Sequence, residues 1–302
     1  MKRKRKLMMT ILLFSFLSGC SQPAVKETSS GRESEKVTDL ETKMEVNDMT
    51  VYVYARPSVL QGKKEVPLIL YLCGTGCDPE KQPVESGYEN LVRKEDVIVI
   101  SPDYNNAATY SEVSKLVNLI SYVKEQYPVD ETSVYSLGFS NGGATSVALT
   151  SEHPELFAGI AAYGWMVDLE NKDNGYEMPF QVVQGTEEFI TEDEDGNPAV
   201  MKDEQEVIHS LLVYDHLISE NTKADYRKTP YWGYEPSSVK KEMHEGAQWT
   251  VNDYQKEGYA HPYVQFLLVD GADHKPHIEE ASYSWNFLRH FHRNRDGKII
   301  EK

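Results

Sequence analysis

The sequence predicts an α/β fold, a mostly parallel central sheet flanked by helices, and three observations predict it. Short β-branched and aromatic runs alternate with helical patterns from about residue 50 onward, the rhythm of strand–helix–strand units. Two of those runs, VPLILYLC (66–73) and DVIVIS (96–101), are almost continuously hydrophobic, as strands covered on both faces are. The 302 residues, 40% hydrophobic and 11% aromatic, are enough for one large core.

Taken in order, strands are expected at Thr50–Tyr54, Leu68–Cys73, Val97–Ser101, Ser133–Leu137, Gly159–Ala162, Phe180–Val183 and Gln265–Val269. A helix is expected over Ser111–Gln126, where Val113, Leu116, Val117, Ile120 and Val123 recur at steps of three and four and Tyr127-Pro128 stops the run. Further helices fit Gly142–Glu152 and Ile278–Arg289. Between Gln184 and Gln265 the rhythm breaks into a helix at Asp203–Ser219 and then an irregular stretch rich in Tyr and Trp. So long a connection above the C-terminal edge of a parallel sheet reads equally as a lid or substrate platform and as a surface excursion with its own small core.

The N-terminal end is organised differently. Five of the 31 Lys and Arg residues fall in the first six positions, and an apolar run from Leu7 to Leu17 follows, too short to cross a bilayer but suited to the core of a signal peptide. Next comes Leu17-Ser18-Gly19-Cys20, which resembles the lipobox of bacterial lipoproteins. The expectation is a signal peptide over 1–19, lipidation at Cys20, a flexible tether over 20–47 and a folded domain over 48–302 with an insertion at about 189–262. The protein would then sit on the extracytoplasmic face of the cell membrane through its lipid anchor. A net charge of −17 argues against nucleic acid as a partner, because phosphate binding needs clustered Lys and Arg.

Beyond Cys20 only Cys73 and Cys77 are present. Two cysteines do not complete a four-ligand zinc site without His or carboxylate help; they read as free or incidentally paired thiols, and no metal or cofactor is expected.

Chemistry concentrates at Gly138-Phe139-Ser140-Asn141-Gly142-Gly143, between a strand and a helix. Glycines two residues either side of a serine permit a sharp turn that presents Ser140 Oγ, with the Asn141 N–H aimed at a developing oxyanion. A nucleophilic serine needs a base and an orienting acid. Of the histidines after it, His274 projects from a turn beyond the strand of VQFLLVDGADHKPH, with His277 a close rival. His153 closes the elbow helix, while His209, His216, His290 and His292 fall on helical patterns or their ends and read as surface or packing residues. The strand of PFQVVQGTEEF places both Glu187 and Glu188 just past its end. A second oxyanion donor would come from the loop after the strand PLILYLC, from the N–H of Gly74 or Thr75.

These pieces resemble the poly(3-hydroxybutyrate) depolymerase and feruloyl or acetyl xylan esterase-like branch of the α/β-hydrolases. The resemblance is carried by PLILYLCGTG, by YPVDETSVYSLGFSNGGATSVALTSEHPELFAGIAAYG, and by the QGTEEF and DGADHKPH turns. It implies Ser140 as nucleophile, His274 as base and Glu188, rather than Glu187, as acid. Glu stands where that branch usually has Asp, and Cys73 stands where a His-Gly pair is usual, leaving only the glycine. The reading implied is a lipid-anchored serine hydrolase, a carboxylesterase acting on an ester of a polymer or carbohydrate through an acyl-enzyme. Two alternatives are a serine peptidase of the prolyl-oligopeptidase type, against which the absence of an upstream propeller counts, and a non-catalytic ligand-binding lipoprotein on the same scaffold.

Overall fold

The computed structural model describes residues 40–107, 110–166 and 177–302; the expected signal peptide, Cys20 and the tether as far as residue 39 lie outside the described residues. The strands in chain order are β1 (Glu41–Val46), β2 (Met49–Tyr54), β3 (Val66–Leu72), β4 (Ile98–Pro102), β5 (Val129–Phe139), β6 (Gly159–Tyr163), β7 (Phe180–Gly185), β8 (Ile190–Glu192), β9 (Pro198–Val200), β10 (Ser238–His244), β11 (Ala247–Tyr254), β12 (Val264–Val269), β13 (Phe291–Arg293) and β14 (Ile299–Glu301). The helices are α1 (Pro57–Leu60), α2 (Gln82–Glu85), α3 (Tyr88–Lys94), α4 (Val113–Gln126), α5 (Asn141–Glu152), α6 (Lys202–Tyr214) and α7 (Glu280–Leu288).

Ten strands form one sheet in the order β1, β2, β4, β3, β5, β6, β7, β12, β11, β10. The middle six, from β4 to β12, run parallel, and an antiparallel pair extends the sheet on each side. All seven expected strands are present. Leu68, Leu70 and Leu72 of β3 and Ile98 and Ile100 of β4 are fully buried, so truncating any of these Leu or Ile residues to Ala is expected to cost about 2–5 kcal/mol. Helix α5 is buried along nearly its whole length, which explains why it lacks the polar stripe of a surface helix.

The departures from expectation have physical causes. The tether does not reach residue 47: Glu41–Val46 is strand β1, in a six-residue antiparallel register with β2. Its sequence, ETKMEV, is exposed at three of six residues, and only Met44 and Val46 carry the apolar alternation that marks a strand. The signal lies instead in the turn, where Asn47 and Asp48 both hold positive φ (50° and 63°), as a tight hairpin requires.

The insertion is not irregular throughout. Its Ser238–Tyr254 portion is the β10–β11 hairpin, turned at Glu245-Gly246 (φ 49° and 88°), and it continues the main sheet. Helix α6 stops at Tyr214 rather than at Ser219, because His216 takes a left-handed φ of 59° that ends helical hydrogen bonding. His292 belongs to β13 rather than to the end of a helix. Among the described residues no helix is long and apolar enough to cross a membrane.

Candidate active site

Strands β3, β5, β6, β7 and β12 are consecutive neighbours in the sheet, and each delivers one part of the site from its C-terminal end, where open parallel sheets bind ligands. Ser140 follows β5 with φ 54° and ψ −126°, a backbone region that a residue with a Cβ adopts at a cost of about 1–3 kcal/mol. The neighbouring glycines make room for it. A Cβ on Gly138 would lie 2.4 Å from the Gly142 carbonyl oxygen, and one on Gly142 only 1.8 Å from the Leu72 carbonyl oxygen. The Ser140 N–H donates to the Tyr163 carbonyl at 2.7 Å, which ties the elbow to β6.

Two turns bring the remaining groups to this serine. His274 Nε2 lies 2.9 Å from Ser140 Oγ, and His274 Nδ1 lies 2.5 Å from Glu188 Oε2. Glu188 is only 7% exposed, and its second oxygen, Oε1, accepts the Gly185 N–H at 2.7 Å. Both carboxylate oxygens are therefore engaged and the carboxyl plane is fixed. Glu187 is exposed, and its N–H donates to the Ala272 carbonyl at 2.9 Å. Of the two glutamates left open by the strand-end turn, Glu188 is the one joined to His274.

His274 itself is held between two aromatic rings, Phe139 and Phe189, each with its centroid 4.7 Å from the imidazole. Phe189 is 42% exposed and meets Trp165 edge-on at 6.1 Å, so an apolar wall stands beside the serine. Gly164, after β6, closes the floor beneath. Its φ is +68°, and a Cβ there would sit 2.9 Å from Glu188 Oε2 and 3.0 Å from His274 Nδ1.

The loop after β3 supplies the last part. Cys73 and Cys77 are paired as a disulfide, one of the two states the sequence left open. The Cys73 carbonyl accepts from Tyr104 Oη at 3.0 Å, the Gly74 carbonyl accepts from Asn106 Nδ2 at 2.7 Å, and the Gly74 N–H donates to Gln82 Oε1 at 3.0 Å. That last bond occupies Gly74, leaving the N–H of Thr75 as the donor without a partner among the described residues. Thr75 Oγ1 accepts from Asn141 Nδ2 at 2.5 Å, which joins the two sides of the opening. The Asn141 N–H, at the first position of α5, is one of the donors a helix leaves unpaired at its start. Two N–H groups and the positive end of a helix therefore flank Ser140.

The rival histidines are elsewhere. His277 packs edge-on to Trp249 at 6.0 Å, its Nε2 is buried without a partner among the described residues, and burial holds its pKa below the ordinary value. His209 bonds Tyr234 at 2.8 Å, and His153 faces Glu155 at 3.3 Å.

Two buried carboxyls, Glu204 and Glu280, feel the charge of Glu188. Burial first, and the charge of Glu188 further down, push Glu204 and Glu280 up to about 8, so at neutral pH both are held mainly protonated and add little negative charge near Glu188. Among the described residues no group of three or more His, Cys, Asp or Glu is arranged to hold a metal ion.

Sequence reasoning missed Gln82, Tyr104, Asn106, Gly164 and Phe189. The glycine after a buried strand and the aromatic beside Glu188 were visible signals. The three side chains that hold the Gly74 loop carried none, since they come from short helices and coil.

The parallel core with antiparallel flanks, a serine on a strand–helix elbow, and an acid and base on later strand ends together constitute the α/β-hydrolase fold. Residues 103–235 match the prolyl oligopeptidase family. Among solved structures, the chain is similar to acetyl xylan esterase from Aspergillus awamori, with 13% identity over 82% of this chain and 98% of that one and a TM-score of 0.56. It is also similar to the feruloyl esterase module from Clostridium thermocellum complexed with sinapinate (12%, 82% and 85%, TM-score 0.50) and to a putative dipeptidyl aminopeptidase IV from Bacteroides ovatus (11%, 82% and 34%, TM-score 0.50). No curated protein matches the chain by sequence.

Proposed function

We propose that the chain is a serine hydrolase of carboxylic esters. The observation that carries this is the unbroken relay from Ser140 Oγ through His274 to Glu188, at 2.9 and 2.5 Å, beside two N–H groups without a partner among the described residues. In the reaction proposed, His274 Nε2 takes the proton of Ser140 as Oγ bonds to the ester carbonyl carbon. The carbonyl oxygen becomes an oxyanion held by the N–H groups of Asn141 and Thr75. His274 then returns its proton to the departing alcohol, leaving an acyl-Ser140 ester that water, activated by the same imidazole, hydrolyses. Glu188 keeps Nδ1 protonated and stabilises the imidazolium.

Esters are favoured over peptides because two of the similar folds are esterases, and the acetyl xylan esterase superposes with a TM-score of 0.56 against 0.50 for the dipeptidyl aminopeptidase. The branch suggested by the sequence motifs, with a polymer or carbohydrate ester as substrate, fits the same comparison. The complete relay speaks against a non-catalytic binding protein on this scaffold. Export and lipid attachment at Cys20 belong to the proposal and rest on the basic, apolar and Leu-Ser-Gly-Cys sequence alone.

A fluorophosphonate probe tests the reading. The folded protein is expected to be labelled and Ser140→Ala is not, with p-nitrophenyl acetate hydrolysis lost in parallel; absence of labelling in the folded wild type would sink it. Labelled palmitate incorporation that disappears in Cys20→Ala tests the anchor.

A further inference from the structure

A cleft of about 510 Å³, within the range of small-molecule sites, touches the acid and base turns at Thr186 and Asp270 but is not lined by Ser140, Glu188 or His274. Its inner end is Thr186 and Asp270, which follow β7 and β12; the Thr186 hydroxyl accepts the Gly271 N–H at 2.8 Å, so the end of the cleft is also the joint between the two catalytic turns. Its floor is one face of the antiparallel extension, with Lys241, Gln248, Thr250 and Leu268. Lys241 pairs in register with Thr250, and Thr250 with Leu268, so these side chains stand in a row across three strands. The wall is the segment carrying Pro230, Tyr231 and Trp232.

That wall is built rather than loose. Trp232 is buried against Phe266, with centroids 5.1 Å apart. Tyr231 is clamped by its N–H to the Pro198 carbonyl at 2.7 Å and by its own carbonyl, which accepts the Val200 N–H at 3.2 Å. Its φ is +70°, a conformation that side-chain-bearing residues adopt rarely and that concentrates at sites with a use.

The chemistry of the lining selects a ligand. Lys228 and Glu235 neutralise each other in an ion pair, and the remaining charges, Lys241 and Asp270, are of opposite sign, so the cleft has no preference for an anion or a cation. The side chains of Tyr231, Lys241, Gln248, Thr250 and Asp270 have no hydrogen bond or ion pair among the described residues. Donors and acceptors are thus interleaved with the flat faces of Pro230 and Tyr231 and the apolar Leu268. A polyhydroxylated ring, with polar edges and an apolar face, satisfies that combination, whereas a lipid tail leaves the polar groups unmatched.

We propose that this cleft binds a neutral carbohydrate segment, as a site separate from Ser140. The inference rests on the cleft lining and not on the esterase reading.

The test uses Ser140→Ala protein, in which no turnover can occur, titrated calorimetrically with xylohexaose, cellohexaose, mannohexaose and chitohexaose. At least one is expected to bind, and Gln248→Ala/Thr250→Ala on the same background is expected to weaken it about tenfold or more with an unchanged melting temperature. Phe189→Ala on that background, at the catalytic opening, leaves the affinity unchanged. Failure of all four to bind at millimolar concentration overturns the proposal. So does binding that Phe189→Ala abolishes and Gln248→Ala/Thr250→Ala leaves intact, which would place the sugar at the serine. With Ser140 present, Gln248→Ala/Thr250→Ala should hydrolyse p-nitrophenyl acetate at the wild-type rate, a readout that separates loss of the cleft from loss of the fold.

Discussion

Gln82 Oε1 accepts the N–H of Gly74 at 3.0 Å, and this one bond takes Gly74 out of play and leaves the neighbouring Thr75 N–H as the loop's donor without a partner among the described residues. Gln82 is buried, at 7% exposure, and anchors the loop in the orientation that leaves the Thr75 N–H free. Removing it leaves the Gly74 N–H buried and unpaired and lets the loop rotate. Gln82→Ala is therefore expected to lower kcat by about tenfold to a hundredfold with KM changed little, because an oxyanion donor acts in the transition state rather than on bound substrate. Gln82→Glu, which keeps the acceptor, should recover part of the loss. Steady-state kinetics on p-nitrophenyl acetate, with melting temperature as the control for folding, decide this.

Glu188→Gln should be far more damaging than its size suggests. Glu188 Oε1 accepts the Gly185 N–H, so the amide oxygen of a glutamine is held at that position and its NH2 turns toward His274 Nδ1. Nδ1 must then accept, the proton moves to Nε2, and the imidazole presents the wrong tautomer to Ser140. A fall in kcat on the order of 10⁴ is expected, while Glu187→Gln, on the exposed neighbour, stays within about twofold. Equal losses at both positions would refute the assignment.

Gly164→Ala adds one methyl under the Glu188–His274 pair. Its Cβ meets both partners at 2.9–3.0 Å, and the backbone there is left-handed, which costs Ala about 1 kcal/mol in stability. The stability loss should be modest and the loss of kcat large. The rate of fluorophosphonate labelling against the midpoint of urea unfolding separates the two.

Glu204 and Glu280 give the fold a specific pH dependence. Their folded pKa values, about 8, lie above the ordinary 4.5, so the native state keeps protons that the unfolded chain has already released. Their contribution is fully present below pH 4.5, declines as pH rises through the interval, and is lost above about 8. At neutral pH the loss is at most about 3 kcal/mol per group. Glu204→Gln/Glu280→Gln keeps acceptors for the Met201 and His277 N–H groups and is expected to flatten the fall in melting temperature over that interval. A slope equal to wild type would show that these two carboxyls do not set it.

Much of this architecture was legible because burial writes itself into sequence. β3 and β4 are apolar on both faces and could be read directly, as could the turns that carry Ser140 and His274, since each follows such a strand. β1 and β10 could not, because edge strands such as ETKMEV, with one buried residue, or SVKKEMH, with none, carry too little alternation to detect; only the Asn47-Asp48 and Glu245-Gly246 turns marked them. Within the site, the identity of the acid came from resemblance, and its partner oxygens from three dimensions alone. Gly74 and Thr75 were indistinguishable in sequence, since what separates them is a side chain eight residues from Gly74, on a four-residue helix without periodicity.

Where Gly142 presses on Leu72, backbone meets backbone: no side chain can be placed between them without a Cβ arriving 1.8 Å from the carbonyl oxygen. Leu72 is the last residue of β3, and Cys73, Gly74 and Thr75 follow it directly. The spacing between the nucleophile and the loop donor is thus set by main chain rather than by any rotamer. Substitutions at Phe189 or Trp165 would reshape the walls while that gauge stays constant. What holds Ser140 against the loop after β3 is thus a contact that side-chain variation around the opening does not enter.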